Sequence, residues 1–248
     1  MAQTARNSNL RLVQQVPQMC PRKPPFSRDV GHLTVNSDSI ESIREKARSL
    51  FDGSRVCHDW DHTERVCRLC ELIGPFEGAD MEVLRIAAYL HDVGRAYQDA
   101  SDGTICHAEK GAEIAEKILA PFPLSQDRKA NIVHCIRSHR FRGSCNPRTP
   151  EARVLFDADK LDAIGAVGVA RAFLFAGELG AHLHVVDRRV EDTQAYTVED
   201  TGYREYRLKL SKIKDRILTD QGRRLAKDRH AFMETFFARF LAEYEGRS

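Results

Sequence analysis

The sequence predicts an all-α protein, and three observations carry that prediction. From residue 37 onward apolar residues recur at intervals of three and four rather than two. Most of these stretches open near Ser or Asp and close near Gly or Pro. Strict alternation, the mark of a half-buried strand, is confined to about Leu183–Val186.

Residues 1–36 stand apart from this pattern. Pro17, Pro21, Pro24 and Pro25 break any helix there, and Ser, Asn, Gln and Arg dominate. The stretch reads as a flexible N-terminal extension ahead of a single domain at 37–248, and its acid-poor, arginine-bearing composition loosely resembles a transit peptide. Ser37 or Asp38 caps a first helix reaching about Phe51. A second runs from about Asp59 to Ile73 and ends at Gly74-Pro75. The third, Asp80 to Asp92, stacks Val83, Leu84, Ala87, Ala88 and Leu90 and stops at Gly94. A fourth spans about Ala108–Leu119, and a fifth starts at Ser125 or Asp127 and reaches about His139. Helices at about Pro150–Leu161 and Gly165–Ala176 follow across a short turn. A polar connector, about Gly177–Gly202, is long enough for a lid or flap. Two long helices close the chain, the first striped by Tyr203, Tyr206, Leu210, Ile213 and Ile217. The second is striped by Phe232, Met233, Phe236, Phe237, Phe240, Leu241 and Tyr244, which suits a core face or a seam between two copies, so a homo-oligomer stays open.

Composition narrows the function classes. With 248 residues, 42% hydrophobic and 30% charged, the chain is that of an ordinary globular protein, and no apolar run approaches a membrane span. The net charge of +2 hides an asymmetry: residues 1–36 hold five bases and one acid, leaving 33 bases against 35 acids in residues 37–248. That balance argues against nucleic acid as a partner. Seven cysteines without framework spacing point to a reducing, cytoplasmic setting, and the Cys67/Cys70 pair falls on one helix face as small buried thiols.

Histidine–acid pairs carry the chemistry. His91-Asp92 follows the buried-looking run Leu84–Leu90, and a carboxylate beside a core is costly unless it is paired, hydrogen-bonded or metal-bound. Asp159, flanked by Ala158 and Leu161, raises the same question on another helix, and His62 comes from a third. Two imidazoles and two carboxylates suit a divalent transition ion with positions left open for water and substrate.

His62-x-x-Arg65-Val66, then His91-Asp92, then Asp159 resembles the H…HD…D signature of the HD superfamily, whose members are all-α metal-dependent phosphohydrolases. His58-Asp-Trp-Asp-His62, Leu90-His-Asp-Val-Gly94 and the run from Glu151 through Asp157-Ala-Asp-Lys-Leu-Asp162 to Phe173 are similar to a bacterial branch of small stand-alone proteins, some of them manganese-using nucleotide pyrophosphohydrolases. The resemblance covers about residues 38–245 and implies that His62, His91, Asp92 and Asp159 are the metal ligands. His107 and His139 resemble the residues that hold a second ion in two-metal members, the alternative being that they line the pocket and contact substrate phosphate. Arg65, Arg95 and Lys160 are expected to contact phosphate as well, unless they are solvated helix charges. His58 and Asp59 are candidates for proton handling, and Asp162 for orienting a ligand or a metal-bound water. Arg140 and Arg142 around Phe141 offer a stacking platform.

The resemblance thus implies hydrolysis of a nucleotide or related phosphorylated small molecule, with a divalent ion as cofactor. Manganese is expected first, with Fe, Co, Ni, Zn or Mg as alternatives. A nucleotidase or phosphodiesterase of the same fold, a non-catalytic metal-stabilised regulatory module, and a di-iron oxygenase needing both His107 and His139 as ligands are the competing readings.

Overall fold

Short polar side chains set most of the helix starts. Asp80, Ser125, Thr149, Thr201 and Thr219 each accept from backbone N–H groups two or three residues on, satisfying donors that a helix N-terminus leaves open. The computed structural model describes residues 37–51, 60–101, 103–140 and 145–247. The stretches 1–36, 52–59 and 141–144, with the readings made there of an N-terminal extension, of His58 and Asp59, and of Phe141 and Arg142, lie outside the described residues.

Ten α-helices are present among the described residues, and no strand. In chain order they are α1 Ser37–Arg48, α2 Trp60–Ile73, α3 Met81–Leu90, α4 Arg95–Ala100 and α5 His107–Leu119. Then come α6 Gln126–Ser138, α7 Pro150–Asp162, α8 Gly165–Glu178, α9 Gly202–Leu208 and α10 Asp220–Tyr244. Helix α3 is the axis of the core. It packs on α1, α2, α6 and α7, and Leu84, Ile86, Ala87, Ala88 and Leu90 are fully buried around it. Cys67 and Cys70 are buried in the same cluster. No helix among the described residues is long and apolar enough to cross a membrane.

Three expectations are corrected. Helix α4 was not foreseen, because it buries no residue and so carries no apolar stripe. The helix expected from Tyr203 to Ile217 is two pieces: α9 ends, Lys209 leaves the helical region at φ −126°, and a 3-10 helix runs over Leu210–Arg216. Spacings of three and four fit both helix types, so Tyr206, Leu210, Ile213 and Ile217 are all buried despite the break. The alternation at Leu183–Val186 forms no strand, and the later part of the connector is anchored to α9. Arg204, buried, pairs with Asp200 at 2.8 Å and bonds the Thr193 hydroxyl at 2.8 Å and carbonyl at 3.2 Å. On α10, Met233 and Phe237 enter the core while Phe232 and Tyr244 stay exposed.

Candidate metal centre

Backbone geometry puts the HD pair beside α5. A Cβ on Gly94 would lie 2.6 Å from the Gly111 nitrogen, so only glycine lets the His91–Gly94 turn rest against the helix that begins with His107. His62 arrives from α2, His139 from the end of α6, and Asp159 from α7. All four histidines and Asp92 are buried.

Their ligand atoms fall into two groups that share Asp92. In the first, His62 Nε2 lies 3.4 Å from His91 Nε2 and 3.4 Å from Asp159 Oδ1, with Asp92 Oδ2 at 3.9 Å. In the second, His107 Nε2 and His139 Nε2 are 3.2 Å apart, and Asp92 Oδ1 is 3.6 Å and 3.5 Å from them. The other ring nitrogen of every histidine is engaged. His62 Nδ1 meets Asp162 at 2.8 Å, His91 Nδ1 the Ala88 carbonyl at 2.7 Å, His107 Nδ1 the Gln98 amide oxygen at 2.8 Å, and His139 Nδ1 the Ile136 carbonyl at 2.6 Å. An acceptor at Nδ1 fixes the proton there and leaves the Nε2 lone pair for an ion. Buried imidazole and carboxylate donors brought this close fit divalent cations, and each group offers at least three of them.

The electrostatics agree with that donor set. Burial disfavours charge on Asp92 and Asp159, but Arg95 and the imidazoles hold the first well below the usual carboxylate range, and Lys160 and His62 do the same for the second. Burial pushes His91 down to about 4 and His107 to about 2, keeping both neutral. His62 is the exception: burial opposes its charge, yet Asp159 and Asp162 raise it to about 9. An ion held at His62 Nε2 would therefore have to displace a proton.

Asp162 lies behind His62. Its carboxylate takes His62 Nδ1, Arg65 Nε at 2.7 Å and Arg171 at 2.6 Å, so its oxygens hold the His62 ring and do not line the cavity. Arg65 is turned to Asp162 and Asp61, away from the cavity wall. Asp157 takes the Leu218 and Thr219 N–H groups and the Thr219 hydroxyl, fastening the start of α10. Arg95 does reach the centre: one nitrogen lies 3.0 and 3.1 Å from the Asp92 oxygens and 3.4 Å from His107 Nε2. Lys160 donates to Asp159 at 2.7 Å and to the His139 carbonyl at 2.6 Å.

A cavity of about 580 Å³ opens over His107, His139 and Asp159. Arg95, Arg140, Lys160 and Arg171 line it, and Lys209, Lys212 and Arg216 add a second bank of cations from α9's end and the 3-10 helix. Sequence reasoning missed this second bank, and Arg171 and Gln98 with it. The cue available was the basic spacing Lys209-x-x-Lys212-x-x-x-Arg216, which passes for a solvated helix face.

The comparisons with known proteins point the same way. The HD domain family model matches residues 59–164, which carry the H…HD…D set. Protein YpgQ of Bacillus subtilis is 33% identical over 211 residues, covering 83% of this chain and 94% of its own. The crystal structure of YpgQ in complex with ADP superposes with a TM-score of 0.63 at 31% identity, over 83% of this chain and 94% of that one. A predicted HD superfamily hydrolase from an uncultured Thermotogales bacterium gives a TM-score of 0.60 at 29% identity, over 82% and 92%. Ligand atoms, order in the chain and near full-length likeness coincide, and the chain belongs to the HD superfamily.

Proposed function

We propose that this protein is a metal-dependent phosphohydrolase acting on nucleotides, and that it cuts nucleoside triphosphates between the α and β phosphates. One observation carries the reading: buried ion-ready ligands form the floor of a cavity lined by seven Lys or Arg side chains against Asp159 and Glu205. Such a wall suits a polyanion. YpgQ, crystallised with ADP, supports a nucleotide as the occupant.

His62, His91, Asp92 and Asp159 hold one divalent ion in this reading, and Asp92, His107 and His139 a second. The four imidazoles favour manganese or a later first-row ion over magnesium. A bound ion supplies a water of lowered pKa and polarises a phosphoryl oxygen. The chain's own part is positioning and charge. Lys160 and Arg171 offset charge that develops on the phosphoryl group beside Asp159, while Lys209, Lys212 and Arg216 hold the phosphates that leave.

A turnover screen over nucleoside mono-, di- and triphosphates with Mn²⁺, Co²⁺ and Mg²⁺ tests this directly, run in ¹⁸O water. Chelator-sensitive release of pyrophosphate, best with Mn²⁺ and with the label in the monophosphate, is the expected result. Label in orthophosphate, or activity on monophosphates alone, replaces it with a nucleotidase. Full activity after chelation with no ion bound removes the metal.

A further inference from the structure

Tyr196 carries four observations that the chemistry above does not use. It is the non-glycine residue with positive φ among those described, at 61°, where a bulky L side chain is strained. The residue is 73% exposed, more than any other large hydrophobic residue described. Its backbone is nonetheless firmly held: the Tyr196 N–H donates to Asp200 at 2.8 Å, and the other oxygen of that buried carboxylate pairs with buried Arg204. Finally, Tyr196 borders both the cavity over the metal centre and an adjoining one of about 370 Å³, where its ring meets Phe175 edge to face at 6.2 Å.

A chain that strains its backbone to hold an aromatic ring in water gains nothing in stability from doing so. The same connector could turn at this point with glycine, which occupies this region freely. The place of Tyr196 in the lining of the same cavities as Arg95, Gln98 and Lys209 gives it a use.

We infer that Tyr196 is the stacking surface for the base of the bound nucleotide and sets the protein's preference for nucleotides over base-free polyphosphates. The phosphates enter toward Asp159 and Lys160, the base lies against the exposed face of Tyr196, and Phe175 buttresses the ring from its side. Every base has a π-face, so stacking here favours nucleotides as a class and leaves base identity loosely read. The inference rests on the nucleotide reading of the site.

Calorimetric binding of a nonhydrolysable nucleoside triphosphate and of inorganic tripolyphosphate to the metal-loaded full chain tests it, in wild type, Tyr196→Phe, Tyr196→Ala and Tyr196→Gly. Nucleotide affinity is expected to fall roughly 5- to 100-fold in the Ala and Gly variants and to hold in Phe, with tripolyphosphate unchanged throughout. Tyr196→Gly is also expected to melt no lower than wild type, which separates lost stacking from a damaged fold. Equal losses for both ligands, or wild-type nucleotide affinity in Tyr196→Ala, overturns the stacking role alone. A wild-type protein that binds tripolyphosphate and no nucleotide overturns the nucleotide reading, and this inference with it. One that binds neither does the same.

Discussion

At the scale of single residues, the α7 run Asp157-Ala-Asp-Lys-Leu-Asp162 shows what neighbours on a helix can do. Successive residues diverge by about 100°, so three carboxylates within six positions address three different surroundings. Asp157 faces α10, Asp159 faces the ion-ready group, and Asp162 faces the back of His62. Asp159→Ala and Asp162→Asn should therefore separate. The first removes a ligand, and bound ion and turnover are expected to vanish while helical circular dichroism persists. The second keeps the ligands but loses the carboxylate that fixes His62, and ion affinity is expected to fall about 10- to 100-fold. Equal effects in a metal titration would refute that division. Arg95 makes a different prediction, because it lies within reach of Asp92 and His107 where an ion of the second group would sit. Arg95→Ala should bind that second ion more tightly while nucleotide KM rises; metal analysis that shows no gain refutes the competition. The candidates His62, His91, Asp92 and Asp159 were legible in the sequence through order and residue type, and the structure brings them together. Of the Nδ1 acceptors, Asp162 was readable as a group that orients a ligand, whereas Ala88, Ile136 and Gln98 were not, since they act through a carbonyl or an amide that no motif marks.

Elements were legible where they bury a stripe and illegible where they do not. Helices α2, α3, α5, α6 and α7 were read to within a few residues, because each turns one apolar face to the core. Helix α4 has no buried residue, and the 3-10 segment after α9 shares its apolar spacing with an α-helix. The second bank of cations was missed for that reason: without the break at Lys209, Lys212 and Arg216 read as an exposed helix face. Contact between elements was also beyond the sequence, and Gly94 is the instructive case. A methyl group there meets backbone of α5 rather than a movable side chain, so either the HD turn or His107 must shift. Gly94→Ala is expected to cost about 1–3 kcal/mol of stability and to reduce occupancy of the second ion group more than the first. Thermal melting with metal analysis checks both halves, and an unchanged Tm would mean that the turn and α5 are not packed as described.

For the whole molecule, the buried imidazoles make stability a function of pH with a predictable shape. His91 at about 4 and His107 at about 2 stay neutral in the folded chain while their unfolded counterparts protonate near 6.5. Below that value the unfolded state binds more protons, so the metal-free protein loses stability as pH falls from 6.5 to 5, on the order of 1 kcal/mol per pH unit for each imidazole. His62 acts on the other side. Raised to about 9, it is protonated in both states below 6.5, and its contribution is lost as pH climbs from 6.5 through 9. The depressed carboxylates Asp92, Asp159 and Asp162 exert their pull only below the ordinary carboxylate range, outside this window. Metal-free protein should accordingly melt highest near pH 6.5 and lower at both 5 and 9. Loading with Mn²⁺ replaces the His62 proton by an ion, so the alkaline decline should disappear while the acid one steepens, because every ligating imidazole must then give up its ion to protonate. Melting curves at pH 5, 6.5 and 9, with and without Mn²⁺, read this directly. A metal-free protein that is more stable at pH 5 than at 6.5 would show that His91 and His107 are not buried as neutral groups, and the ligand geometry built on their free Nε2 atoms would fall with that result.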